Sequence, residues 1–370
     1  MQRIHCYFIT PTPSQPRYHK RIRACLEQGH PVTVFTFRRG LYEINELPPD
    51  VSVIDLGFLR GGRYLSRILP LCRAALRVRS ALRSAPDNGI LYCFGLDCAL
   101  LGLVCRQKPL RFVYEVGDII YLLAGQSRIV RSVMTALDRL VTRSVDLLVL
   151  TSEGFLPHYR RLNPLCPLSI VENRIARELA AVSRPAGRVM SRPIRIGFVG
   201  LVYYLECLQG LIDFVASHEG YEAHVFGDGA DTLLIREAAD RYPGRVFFHG
   251  PFRNPADLPA IYKRIDFNFV VYDPDDENVR VLMPNKYYES LFFVVPLIVS
   301  DGTLLAERVR SRAVGYGIDA HRIPMELDRI FRDLTEERYA ALCASACAVP
   351  LEELIDDSDR LMADLAGGAR

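Results

Sequence analysis

The sequence predicts an α/β protein made of two doubly wound domains in tandem. Three observations predict it. At 370 residues, with 49% hydrophobic and 24% charged, the chain has enough apolar material for two cores. Short β-branched and aromatic runs alternate with amphipathic stretches at helical spacing along the whole chain, the pattern of βαβ units and a parallel sheet. That alternation breaks once, at ELAAVSRPAGRVMSRP (178–193), where two prolines and a glycine interrupt it. The expected division is a first domain over 1–178, a linker over 179–193, a second domain over 194–345, and a helical, acidic tail over 346–370 that either caps the second domain or crosses back to the first.

The elements follow in order. RIHCYFIT reads as a strand, PTPSQPR as a loop, YHKRIRACLEQGH as an amphipathic helix stopped by Gly29, and PVTVFTF as the next strand. RYLSRILPLCRAALRVRSALR (63–83) reads as a helix interrupted at Pro70. GILYCFG, RFVYEVGD, DLLVLTS and LSIVENR are strands, joined by helices over LDCALLGLVCRQ, SRIVRSVMTALDRLVTRSV and EGFLPHYRRL. After the break, IRIGFVG, EAHVFG, VFFHG, DFNFVVY and PLIVS alternate with helices near LQGLIDFVASH, ADTLLIREAADR, ADLPAIYKRI and PNKYYESLFF. In that last helix Asn285 is expected as the N-cap and Lys286–Phe293 as the body.

Composition excludes several classes. No N-terminal stretch has the basic, apolar and small-residue regions of a signal peptide, and no apolar run reaches the length of a membrane span. Ten cysteines without a CxxC pair suit reduced thiols in the cytosol better than a disulfide framework or a zinc site. The net charge of +3 hides an asymmetry: through Met190 there are 27 Lys+Arg against 14 Asp+Glu, and the rest of the chain is acidic. The arginines lack interleaved surface aromatics and no binding module is visible, so nucleic acid is not an expected partner.

Open parallel sheets bind ligands at the carboxyl ends of their strands. In the second half those ends carry Gly200, Gly227–Gly229, Gly250 and the helix that starts at Asn285. Glycines let backbone N–H groups approach a phosphate, and a helix N-terminus favours an anion. Asn285, Lys286 and Glu289, at spacings of three and four, share the first turns of that helix. Two readings stand: a capped helix with an exposed Lys–Glu pair, or a site for a phosphorylated ligand.

IGFVG, VFGDG, VFFHGPF, LPAIYKRIDFNFV and PNKYYESLFFVVPLIVS, in that order, resemble the nucleotide-sugar-binding half of the group-1 bacterial glycosyltransferases of the glycosyltransferase B fold. The resemblance covers about 194–318 and extends loosely to the first half. It implies two Rossmann-like domains facing across a cleft, with a nucleotide-sugar donor (UDP or another nucleoside diphosphate) in the second. Glu289 would hold the ribose, Asn285 and Lys286 would lie at the diphosphate with Gly200 and Gly229, and Gly250 and Phe252 would frame the base. The sequence departs from the family in three places. Val281 stands where many retaining members carry a first glutamate, with Glu277 four residues off. Tyr203 and Tyr204 replace a basic residue after the first glycine loop, leaving Lys286 or Arg280 to compensate. Val294 or Val295 replaces a helix-ending glycine.

The resemblance also implies that the first domain binds the acceptor, a surface glycan or its lipid-linked precursor. Asp118, ending RFVYEVGD, is the candidate catalytic carboxylate; capping the next helix is its plain alternative, and Glu115 is expected to face packing. No metal cofactor is expected, because a helix end and Lys286 can take its electrostatic place; DPDDE (273–277) reads as a solvated turn. Arg63, Arg67, Arg73, Arg77, Arg79 and Arg83, without an acidic neighbour in 63–83, suggest peripheral docking on an anionic membrane from the cytoplasm, with Arg73 and Arg77 at its centre. A nucleotide-sugar 2-epimerase and a non-catalytic nucleotide-sugar-binding protein are the alternatives, separated from transfer by whether free nucleoside diphosphate is released.

Overall fold

The computed structural model describes residues 3–40, 46–59, 68–85, 88–107, 109–122 and 127–367. The chain divides into two units, Met1–Glu172 with Asp357–Arg370, and Asn173–Asp356.

The first unit runs β1 (Cys6–Thr10), α1 (Pro16–Glu27), β2 (Val32–Arg38), β3 (Ser52–Phe58), α2 (Ile68–Leu82), β4 (Ile90–Phe94), α3 (Leu96–Cys105), β5 (Arg111–Val116), α4 (Arg128–Thr142), β6 (Leu147–Leu150), α5 (Leu156–Leu162) and β7 (Leu168–Ile170). Among the described residues its strands form one parallel sheet in the order β3-β2-β1-β4-β5-β6-β7. Phe8, Val34, Tyr92 and Val113 lie in one buried cluster with Tyr18 and Ile22 of α1. Ser127 caps α4 through Oγ, which accepts from the Val130 N–H at 3.3 Å. The sequence reading has no strand over 52–58. β3 is an edge strand that buries only Leu56, so its apolar signal is weak. Arg63 and Arg67 lie outside the described residues.

The second unit runs β8 (Ile194–Val199), α6 (Leu205–Ser217), β9 (Tyr221–Phe226), α7 (Thr232–Arg241), β10 (Val246–Gly250), α8 (Leu258–Lys263), β11 (Phe267–Val270), α9 (Glu277–Val281), α10 (Asn285–Phe292), β12 (Leu297–Ser300), α11 (Leu304–Ser311), β13 (Gly315–Ile318), α12 (Ile323–Arg332), α13 (Glu336–Cys347) and α14 (Leu351–Leu354). Its described strands form a parallel sheet in the order β10-β9-β8-β11-β12-β13. The order reverses beside β8, the switch point at which such sheets take ligands.

Two boundaries differ from the sequence reading. Residues 179–193 are not a free linker: Leu179 and Met190 belong to the second unit's core. The Arg184 guanidinium donates to the carbonyls of Val349 (2.7 Å) and Leu291 (3.0 Å), and Arg188 to those of Tyr262 and Ile265 (both 2.8 Å). Two arginines pin the segment by closing exposed carbonyls at helix ends. The tail also does not act as one piece. α13 and α14 stay with the second unit, while α15 (Ser358–Ala366) belongs to the first, placing Leu361, Met362 and Leu365 in the cluster with α1.

α10 ends with Val294 in the left-handed region at φ 56°, where the Val295 N–H returns to the Ser290 carbonyl at 2.9 Å. Glycine is the usual occupant of that position, and a β-branched residue there is strained. Val294 is fully buried, so its packing offsets the strain.

Candidate functional site

At the carboxyl edge of the second unit's sheet, β8 gives way to Gly200 at φ +145°. A Cβ on Gly200 would stand 2.8 Å from the Lys286 Nζ, so the missing side chain is what admits the ammonium beside the loop. Gly229 works similarly, since a Cβ there would lie 2.1 Å from the Val202 carbonyl oxygen. The two loops are tied by Val202 N–H donating to the Asp228 carbonyl at 3.0 Å.

Asn285 does not cap α10. Pro284 occupies the cap position, and Asn285 is the first helical residue. Its amide nitrogen instead reaches one turn along and donates to Glu289 Oε1 at 2.9 Å, while Lys286 Nζ donates to Asn285 Oδ1 at 3.3 Å. The reading of a capped helix with an exposed Lys–Glu pair does not hold, because Pro284 takes the cap position and Glu289, 3% exposed, is not half of a solvated pair. Its Oε1 also accepts from Asn254 Nδ2 at 3.2 Å, and its Oε2 from the Tyr262 hydroxyl at 2.8 Å. Behind Tyr262, Asn268 Nδ2 donates to Ser290 Oγ at 2.7 Å and to the Tyr262 oxygen at 3.3 Å. Burial pushes the Lys286 ammonium pKa down, and the Glu289 charge opposes that shift. Lys286 is partly buried, and its ammonium donates to a neutral amide oxygen, that of Asn285.

The structure therefore brings Gly200, Asn285, Lys286 and Glu289 together. Gly250 (φ +77°) ends β10, and Phe252 follows in the loop that carries Asn254. Tyr203 is 61% exposed and Tyr204 is partly buried. Asn254, Tyr262 and Asn268 were missed in the sequence reading. A signal existed for Asn268, a polar residue inside the apolar run FNFV, because a buried amide needs partners. In the DPDDE turn, Asp276 caps α9, and Asp273 and Asp275 lie with His321 so that one ligand atom from each falls within 4.8 Å of the others. His321 and Asp275 are surface residues, and Asp275 also faces Arg280 at 3.8 Å.

Asp118, Arg73 and Arg77 belong to the first unit. Asp118 is exposed, two residues beyond β5, and its charge is felt by Arg17. Glu115 faces packing: fully buried, it accepts from Arg21 Nε at 3.1 Å and from the Tyr92 hydroxyl. Arg73 and Arg77 are exposed on α2, whose described outer surface also shows Ile68, Leu69 and Leu76. No described helix is long and apolar enough to cross a membrane.

Sucrose-phosphate synthase from Thermosynechococcus elongatus superposes with a TM-score of 0.72 at 14% identity, covering 98% of both chains. WaaG, a glycosyltransferase involved in lipopolysaccharide biosynthesis, superposes at 0.70, with 14% identity over 98% of this chain and all of that one. The chain has the glycosyltransferase B fold. Anabaena Alr3699/HepE, solved in complex with UDP and glucose, shares this fold at a TM-score of 0.68 and 13% identity, over 99% of this chain and 100% of that one. By sequence, the chain is 26% identical to the succinoglycan biosynthesis protein ExoL of Rhizobium meliloti (strain 1021), over 91% of this chain and 86% of that protein. No family model matches it.

Proposed function

We propose that the protein is a glycosyltransferase that moves a sugar from a UDP-sugar to a growing polysaccharide or its lipid-linked precursor. The observation that carries this reading is the grouping of Lys286, Asn285 and Glu289 on one helix beside Gly200, at the switch point of the second sheet. A diphosphate at the N-terminus of α10 gains the helix dipole and the Lys286 charge together. Glu289 already accepts three hydrogen bonds, so it has room for one ribose hydroxyl without displacing an amide. The relatives support the donor and acceptor classes: UDP and glucose are bound by Alr3699/HepE, and ExoL and WaaG are named for polysaccharide and lipopolysaccharide biosynthesis.

Asp118 is the candidate group to take the acceptor hydroxyl proton in an inverting reaction, or to orient the sugar in a retaining one. Hexosyl transfer proceeds without a metal on this reading, since Lys286 and the helix end supply the positive field. The first unit docks on the cytoplasmic face of an anionic membrane through α2, with Arg73 and Arg77 set among exposed Ile68, Leu69 and Leu76.

The test is release of UDP from candidate UDP-sugars in the presence of membrane lipid extract, with and without EDTA. UDP formation that survives chelation is expected. Loss on chelation with rescue by manganese would move the charge-balancing role to Asp273, Asp275 and His321. Interconversion of nucleotide sugars without UDP release would favour the epimerase.

A further inference from the structure

We infer that Tyr203 is a stacking platform for a pyranose ring, a binding subsite within the glycosyltransferase reading on which it rests. The loop after β8 is braced. Val202 is fully buried, its N–H donates to the Asp228 carbonyl at 3.0 Å, and its own carbonyl fits into the space left by Gly229. The next residue, Tyr203, leaves this anchor 61% exposed. Behind it, Tyr204 meets the Tyr203 ring edge to face at 5.4 Å and lies against Tyr272 at 4.7 Å. Tyr272 is held in turn, its N–H donating to Ser300 Oγ at 2.8 Å.

Three linked phenols thus hold one ring out at the ligand edge of the sheet, three residues from the glycine against which Lys286 packs. Packing does not account for it, because an aromatic side chain ordinarily buries most of its 150–250 Å² when it serves a core. The ring face does not suit an anion: it carries the negative lobe of the quadrupole and repels a diphosphate, so an anion would engage the phenol O–H alone, which Tyr203→Phe removes. The complementary ligand is neutral and has a flat array of C–H bonds on one face with hydroxyls at its rim, which is a pyranose. On this inference the diphosphate is left to Lys286, the compensation that the sequence comparison with the family offered for the missing basic residue. Tyr203 takes the sugar.

That sugar is either the one carried by the donor or the terminal residue of the acceptor, and the experiment separates them. Tyr203→Ala and Tyr203→Phe are compared with the wild type by UDP calorimetry and by the KM values for UDP-sugar and for acceptor. UDP affinity is expected to stay unchanged in both variants. Tyr203→Ala should raise one KM about three- to tenfold, the range of a single aromatic contact, and Tyr203→Phe should leave it near wild type. A rise confined to the UDP-sugar assigns the platform to the donor pyranose, and one confined to the acceptor assigns it to the acceptor. The inference is overturned if neither KM moves, if Tyr203→Phe loses as much as Tyr203→Ala, or if UDP itself binds more weakly. Saturation-transfer NMR with methyl glucoside and methyl galactoside gives an independent readout. Transfer to the sugar ring protons that is present in the wild type and absent in Tyr203→Ala would support the platform even if the wild type failed to bind UDP, an outcome that would refute the nucleotide-sugar reading instead.

Discussion

Each unit holds a buried glutamate, and the two are held in opposite ways. Glu115 in the first unit has a guanidinium against it: Arg21 is also fully buried, and Arg17 approaches the second oxygen at 3.9 Å. Glu289 in the second unit receives hydrogen bonds only from neutral donors, two amides and a phenol. A carboxylate with its own cation is internally neutral and has no electrostatic need for a ligand. The other is held by neutral dipoles at the ligand edge, next to a lysine whose pKa is pushed down by burial. The contrast separates a carboxylate paired with a cation from one held by neutral donors, and the proposed ribose contact rests on the second.

Removing Arg21 breaks this comparison hardest. Arg21→Ala leaves Glu115 buried without its main cation, which costs about 3–5 kcal/mol, while Arg21→Met with Glu115→Leu restores most of the loss. Denaturant unfolding should show both effects.

Asp138 sharpens the comparison as a third kind of buried carboxyl. It is 1% exposed and accepts from a neutral donor, the Tyr159 hydroxyl, at 2.8 Å. Burial raises its pKa from 3.8 to about 7. Because the folded value lies above the unfolded one, its contribution is complete below about pH 4 and is lost as pH rises through about 7. The full span amounts to roughly 4 kcal/mol. Stability measured from pH 4 to 8 should therefore fall in the wild type and flatten in Asp138→Asn.

Glu289→Gln should weaken UDP binding by roughly 2–3 kcal/mol, about 30- to 150-fold, with most stability retained. Glu289→Ala is the poorer test, because it would strand the donors of Tyr262, Asn254 and Asn285. Unchanged calorimetric affinity for Glu289→Gln would make Glu289 another structural carboxylate, like Glu115.

The smallest effect concerns α2. Engaged arginines contribute about 1 kcal/mol each at an anionic surface. Co-sedimentation with anionic vesicles should fall at high salt and in Arg73→Glu with Arg77→Glu. Equal partitioning to neutral vesicles would remove the membrane from this picture.

The alternation of strands and helices was legible because parallel strands buried on both faces are written as dense apolar runs such as ILYCF and LIVS. β3 was not, since an edge strand needs few apolar residues. The grouping of Asn285, Lys286 and Glu289 was visible in helical spacing alone, but their roles were not. The cap is set by where the preceding Pro284 lets the helix begin, and two of the three hydrogen bonds to Glu289 come from Asn254 and Tyr262, 35 and 27 positions away. Long-range partners leave no local mark. The same holds for the segment 179–193, whose prolines suggest a linker while Arg184 and Arg188 fasten it.

The helix α15 has a consequence for synthesis. Of the two units, the one synthesised earlier is completed later, because Leu361, Met362 and Leu365 fill its core and Ser358 accepts a hydrogen bond from Arg21. Until those residues emerge, the nascent β1–β7 sheet carries an uncovered apolar strip and a buried guanidinium lacking one acceptor. The second unit, continuous from Asn173 to Asp356, has no such wait and can reach its native packing while the first is still held open.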